Sequence, residues 1–454
     1  MPDQTRQMSL IAFLQAQNCS NYVGSWRHPA SMTDFLSADY FTRIARTLED
    51  ATFDMAFFDD RLAMPDIYGQ SHDLAVRHGI RSVKMDPTPI LMAMAMATRH
   101  LGLGATYSTT YYEPFHVARL FATLDLMTGG RVAWNIVTSM NDSEAANFGR
   151  ASHLEHDLRY DRADEFLQIV RDMWTSWDDD ALVLDKSSGE FADPGKVRRT
   201  AFNGKYFDVN GTFTVPRSRQ GHPVLLQAGS SGRGRAFTGR WADVVFTAYS
   251  SREAGEKQYR AVKQAVADAG RDPGQVVVAP AIGVVTAETP ELVEKKYELI
   301  DALARPEDSL ALLCEVLNTD LSTRPYDEPF TDKELADMSW QGLRDRVIQL
   351  SGTANPSVRD FVQYSGRGSL PKGGSTLVGT PTQIADQLET WFGTCCDGFV
   401  ISAASVPGTY EDFARLIVPE LRRRGLVKET YAGDTLRGNL GLPAPAPFAQ
   451  GARA

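Results

Sequence analysis

Short apolar runs that end in polar residues alternate along this chain with longer stretches whose apolar positions recur every three or four residues. The first pattern predicts buried strands and the second amphipathic helices. The clearest unit spans residues 100–139. GLGATYST (102–109) reads as a strand ending in hydroxyls. PFHVARLFATLDLMTGG (114–130) reads as a helix with Pro in its first turn and a Gly-Gly stop. RVAWNIVTS (131–139) is a second strand, ending in Thr138 and Ser139. A strand, helix and strand joined this closely require a parallel sheet.

About eight such alternations run from MSLIAFLQ (8–15) to the helix YEDFARLIVPELRRRGL (410–426), passing FDMAFFDD (53–60), HPVLLQ (222–227), QVVVAPAIGVVTA (275–287) and CDGFVISA (396–403). They predict an α/β fold, a (β/α)8 TIM barrel over residues 1–426, in preference to a doubly wound sheet because the alternation spans nearly the whole chain. Two stretches break the rhythm, at about 178–222 and 305–375, and read as insertions; the second is polar and punctuated by Gly, Pro and Ser, as a lid or active-site wall would be. Residues 427–454 read as a C-terminal arm followed by disorder.

In parallel barrels the chemistry sits at the C-terminal ends of strands. Thr106, Asn135 and Ser139 are therefore the first candidates, joined by Asp59 and Asp60 after the second strand and by Ser230 and Ser231 in the turn QAGSSGRGR (227–235). That turn opens a helix, so its free N–H groups, hydroxyls and Arg233 and Arg235 suit a phosphate. His156 and Tyr160 stand four apart at a helix start and share a face. The Met/Ala stripe at 92–97 reads as core.

Composition narrows the classes. The 454 residues carry 47 basic and 57 acidic side chains, a net charge of −10 with no Lys/Arg tract, which argues against nucleic acid or an anionic membrane as partner. Four cysteines form neither a metal spacing nor a disulfide framework, and the N-terminus lacks a signal-peptide pattern, so a cytoplasmic protein is expected. HLEH (153–156) lacks the zinc-protease spacing, and neither a nucleophile elbow nor a Walker sequence occurs. No metal is expected.

With these residues on the page, FDMAFFDDRLA, the whole run HLGLGATYSTT…VTSMNDSEAANFG, HLEHDLRYDRADEF and QAGSSGRGRAF resemble the bacterial-luciferase superfamily. The resemblance is to its two-component, reduced-flavin monooxygenases, in the nitrilotriacetate, sulfone and pristinamycin-synthase group. It weakens over 61–87 and 305–370. It implies a luciferase-like barrel that takes FMN as FMNH2 from a separate NADH:FMN reductase. With O2 as co-substrate it would oxygenate an apolar or heteroatom-bearing organic compound, such as a sulfone or halogenated aromatic, through a flavin peroxide in xenobiotic catabolism. The flavin set carried over is Asp60, Thr106, His156, Tyr160 and Ser230 or Ser231, with Ser139 added from its strand-end position. Asn135 and Thr106 would lie beside the edge where O2 reacts and act catalytically. Phe13, Phe58 and Phe246 would be walls of a pocket for an aromatic substrate or, equally, barrel core. A homodimer or homotetramer is expected. Alternatives are an F420-dependent oxidoreductase of the same superfamily, a flavin-independent barrel hydrolase using Asp59 or Asp60, and a non-catalytic flavin binder.

Overall fold

The computed structural model describes residues 6–229, 232–338, 341–366, 370 and 375–445. Eight strands form the barrel: β1 (Ser9–Gln15), β2 (Met55–Asp59), β3 (Gly102–Ser108), β4 (Val132–Val137), β5 (Val224–Gln227), β6 (Val244–Thr247), β7 (Val277–Thr286) and β8 (Gly398–Ser402). Every neighbouring pair is parallel, and β8 returns to β1 with Ile11 beside Val400, which closes the cylinder. A further short strand, Thr376–Gly379, pairs outside the ring with the far end of β7.

Both faces of these strands are buried, which is why they read as unbroken apolar runs. Parity decides the face. Ile11, Phe13, Met55, Phe57, Ala133 and Leu226 belong to the inner cluster, whereas Leu10, Ala12, Phe58, Leu103 and Trp134 pack outward on the helices. Gly104 makes room inside: a Cβ there would stand 2.7 Å from the Cβ of Phe57.

The helical layer includes α1 (Ala38–Asp50), α2 (Pro87–Ala97), α3 (Pro114–Met127), α4 (His156–Trp174), α5 (Gly232–Trp241) and α6 (Arg252–Asp268). Side-chain caps start several of them: Ser37 accepts from Tyr40 N, Asp86 from Thr88 N and Ser251 from Ala254 N. α4 starts at His156, capped by the Glu155 carboxylate, which accepts from the N–H groups of Asp157 and Leu158.

Three segments depart from the alternation. Residues 178–222 carry two antiparallel hairpins, Leu182–Asp185 with Glu190–Ala192 and Arg199–Asn203 with Asp208–Thr212. Among the described residues, the stretch 305–375 contains four helices, Pro306–Leu317, Asp332–Asp337, Gln341–Ser351 and Val358–Tyr364, around an apolar cluster of their own with Leu317, Phe330, Val347 and Phe361. The tail turns under the barrel, where Leu436, Leu440 and Leu442 join the inner cluster and plug its floor. No described helix is long and apolar enough to cross a membrane.

Candidate active site at the barrel mouth

Strand register assembles the mouth. Thr106 on β3 lies directly beside Asn135 on β4, both at inward positions. Asn135 Nδ2 donates to Thr106 Oγ1 at 2.8 Å, and Thr106 Oγ1 donates to the carbonyl of Phe58 at 2.7 Å. This chain orients both side chains. Its outer end is open: buried Asn135 Oδ1 has no hydrogen-bond partner among the described residues. Gln15, the last inward position of β1, likewise has a buried Nε2 without a partner. Buried polar atoms in native proteins are almost always paired, so this acceptor and donor are set for something that brings an N–H and a carbonyl. Gln15 escaped the sequence reading, although the strand-end rule that selected Thr106 applies to it equally.

Ser139 follows β4 with φ +55°, a left-handed conformation costly for a residue with a Cβ. Its hydroxyl donates to Ser108 Oγ at 3.0 Å and to Glu144 at 3.4 Å, and Arg159 holds its carbonyl. Buried Glu144 also accepts from Leu62 N and Met140 N, at 3.2 and 3.1 Å, so one carboxylate ties the loops after β2 and β4 together. Arg61 in the first of these loops meets Glu315 of the helix Pro306–Leu317 at 3.3 Å, which fastens the long insertion to the mouth.

Asp60 stands at the end of β2. Burial pushes its carboxyl up to about 7, with Asp59 and Asp86 adding to the effect and Lys84 opposing it. Asp60, Thr106, Ser108, Ser139 and Glu144 line a water-sized cleft. Asp60, Leu62 and Tyr112 also line a neighbouring cavity of about 330 Å³, so the two spaces share a wall.

A second group of candidates lies at the start of α4. His156 and Tyr160 approach with ring centroids 5.2 Å apart. His156 Nδ1 contacts Asp157 at 2.7 Å, while Tyr160 is buried and packs on Phe237 of α5. Burial raises the Tyr160 phenol, against the pull of Arg159, Gln227 and Arg233. Arg233, read from sequence as a phosphate ligand, is paired with Asp161 at 3.0 Å and Asp164 at 2.5 Å. Ser230 and Ser231 lie outside the described residues; in sequence they fall between Gln227, a partner of Tyr160, and α5.

The aromatic expectation needs one correction. Phe13 and Phe246 do face the barrel interior, stacked at 5.3 Å. Phe58 does not: it points outward, against Phe41 of α1 at 5.8 Å. Side chains alternate along a strand, and Phe57, which belongs to the inner cluster, takes the inward place that its neighbour Phe58 cannot. Phe57 lies 4.9 Å from Phe13 and 5.6 Å from Phe246.

A flat heterocycle edged with N–H and carbonyl groups fits the open donor and acceptor at the mouth.

Comparison with known proteins identifies the family. The family model for luciferase-like monooxygenases matches residues 16–397. The chain is 44% identical to dibenzothiophene-sulfone monooxygenase of Rhodococcus erythropolis over 449 residues, covering 97% of this chain and 98% of that protein. It is 38% identical to nitrilotriacetate monooxygenase component A of Aminobacter aminovorans, covering 97% of each. Among solved structures, riboflavin lyase with modified FMN and substrate riboflavin superposes with a TM-score of 0.88 at 32% identity, over 97% of both chains.

Proposed function

The chain belongs to the luciferase-like monooxygenase family, and we propose that it is the oxygenating component of a two-component system that uses FMNH2 and O2. A separate NADH:FMN reductase supplies the reduced flavin. The substrate is an apolar or heteroatom-bearing organic compound with an aromatic body. The observation that carries this reading is the buried chain Asn135–Thr106–Phe58 carbonyl, left open at Asn135 Oδ1 at the mouth of the barrel.

In this reading Asp60, Thr106, Asn135 and Ser139 hold the ring system, while His156, Tyr160 and Ser230 or Ser231 hold the phosphate. When bound, the flavin supplies the oxygen-activating redox chemistry. The protein supplies placement and electrostatics. Thr106 and Asn135 are held in position before the reaction, so they stabilise developing charge without reorganising. Phe13, Phe57 and Phe246 give the interior an apolar wall that excludes water. Asp60, balanced near neutrality, can hold or release a proton at its carboxyl. That division of labour accounts for the lack of a recognisable acid–base triad in the sequence.

The relatives' names leave the substrate's charge open, since a sulfone is neutral and nitrilotriacetate carries carboxylates. The test is oxygen uptake with product analysis, using purified protein, a generic NADH:FMN reductase and a panel of neutral sulfones, chlorinated aromatics and carboxylates. Oxygenated product strictly dependent on reduced FMN is expected. Turnover without flavin, or with F420 in its place, would overturn the reading.

A further inference from the structure

The cavity of about 330 Å³ beside Asp60 lies in the part of the chain where the family resemblance is weakest. Its wall combines apolar side chains, among them Leu62, Met64 and Met85, with the cations Arg81 and Lys84. The segment that carries Lys84 is pinned to the end of β1: Lys84 bridges Gln17 and Met85 N donates to Ala16 O at 2.8 Å. Lys84 thus sits at the barrel mouth by backbone pairing.

The wall carries the acids Asp60 and Asp86 as well as three cations, but close ion pairs across it are few. Arg61 is answered by Glu315 at 3.3 Å. The Asp86 carboxylate accepts from Thr88 N and Oγ1 at 2.8 and 2.7 Å and from the Tyr107 hydroxyl at 2.9 Å, and forms no close ion pair with Arg81 or Lys84 among the described residues. Arg81 is buried at 2% exposure, gives one N–H to Asn21 at 2.8 Å, and keeps a buried Nε with no partner. Lys84 has no ion pair within 4 Å among the described residues; Glu315, Asp59 and Asp60 act on it from farther away. Burial, with Arg81 nearby, pulls the Lys84 ammonium below the ordinary lysine range. A cation in this state gains most from an anion that arrives with the ligand.

We propose that Lys84 and Arg81 are specificity-determining residues that receive a carboxylate of the substrate, while Leu62, Met64 and Met85 take the adjoining apolar part. This rests on the oxygenase reading and narrows its substrate to an organic acid with an apolar body. The shared wall at Asp60, Leu62 and Tyr112 places the acid group next to the Thr106 cleft, so the rest of the molecule reaches the reacting end from this anchor.

The test uses full-length protein with FMN present and a matched pair of probes, 3-(phenylthio)propionate and its methyl ester, titrated by calorimetry. The acid should bind at least about tenfold more tightly than the ester. Lys84→Met and the closer-shaped Lys84→Gln should abolish the preference, and Lys84→Arg should keep it. Equal binding of the two probes, no binding of the acid to the native protein, or a preference that survives loss of Lys84 would overturn the proposal. If Lys84→Met weakens FMN but not riboflavin, the cations serve the cofactor's phosphate and the proposal also falls. Turnover with the reductase and O2 separates the two readings. Oxygenation of the ester without acid preference removes the carboxylate site and leaves the oxygenase standing. Lys84-dependent binding of an acid that is never oxygenated removes the oxygenase reading, and with it the assignment of this acid as substrate.

Discussion

At the barrel floor, four buried carboxylates each accept a backbone N–H from a neighbouring strand: Asp54 from Leu10 at 2.9 Å, Asp125 from Val132 at 3.0 Å, Asp243 from Leu225 at 3.1 Å and Asp397 from Val278 at 2.8 Å. Each also faces a partner side chain. Lys428 meets Asp54, Arg437 meets Asp243 at 2.8 Å, Lys263 meets Asp397 at 2.9 Å, and Gln220 donates to Asp125 at 2.7 Å. At the mouth the arrangement is the reverse. Asp60 is crowded by Asp59 and Asp86, Lys84 has no close counter-ion, and Asn135 Oδ1 and Gln15 Nε2 are buried and open. The two ends share the same strands, so the difference lies in what each end is for. Paired carboxylates lock the strands and the tail at the floor, where Arg437 Nε and Asn439 Nδ2 are nonetheless also buried without a partner among the described residues. At the mouth the open atoms face the inward strand ends where a ligand would sit.

If the contrast is sound, substitutions at the floor cost stability and those at the mouth cost function. Arg437→Met should have the largest effect, about 3 kcal/mol of unfolding free energy, because it leaves the buried Asp243 carboxylate with only the longer contact to Arg271 at 3.5 Å. Urea denaturation measures this, and FMN affinity should be unchanged. Burial raises the Asp243 carboxyl, but Arg437 and His222 overcome it and hold the group below 3.8. The native advantage is therefore full above that value and fades as pH falls through the lower folded-state pKa.

Asn135→Ala comes next. Product formation dependent on reduced FMN should fall by about 10²–10³-fold, with a melting temperature no lower than that of the native protein. A variant that loses stability but keeps its rate would erase the distinction between the two ends.

Asp60→Asn sharpens the comparison through pH. Its folded-state pKa lies at about 7, above the ordinary 3.8, so the native fold binds the extra proton and loses stability as pH rises between those values. The variant should exceed the native protein by about 1–3 kcal/mol at pH 8 and match it near pH 4. Thermal melts across that range decide it.

The smallest effects separate neighbouring aromatics. Phe57→Leu should change KM for an aromatic substrate a few-fold. Phe58→Leu should leave KM alone and cost about 1 kcal/mol in the outer core.

How much of this was legible depended on the kind of signal. The barrel and the candidacy of Thr106 and Asn135 follow from period and from hydroxyl and amide residues at strand ends, whereas their hydrogen bond emerges only from the strand register. Phe58 was misassigned because MAFFD has no polar residue among its first four positions, and parity emerges only by counting back from Asp59. The helices within 305–375 were masked by the polar Gly, Pro and Ser loops between them, even though Pro306–Leu317 runs twelve residues unbroken. Their caps, Thr331 with Glu334 and Ser357 with Asp360, were readable. Leu436 and Leu440 bracket a one-turn helix and Leu442 follows it, a pattern too short to stand out between glycines and prolines. Arg81 and Lys84 lie on a loop, where charge has no periodicity, and only the folded cavity shows that their counter-ions are missing.

The most direct test of the division between mouth and floor is anaerobic equilibrium dialysis of FMNH2 against three proteins: native, Asn135→Ala combined with Thr106→Val, and Arg437→Met. The double substitution should weaken FMNH2 binding by at least about tenfold, and Arg437→Met, measured under conditions where it is folded, should bind as the native protein does. Native-like binding by the double variant, or loss confined to Arg437→Met, would contradict the assignment of the barrel mouth as the flavin site.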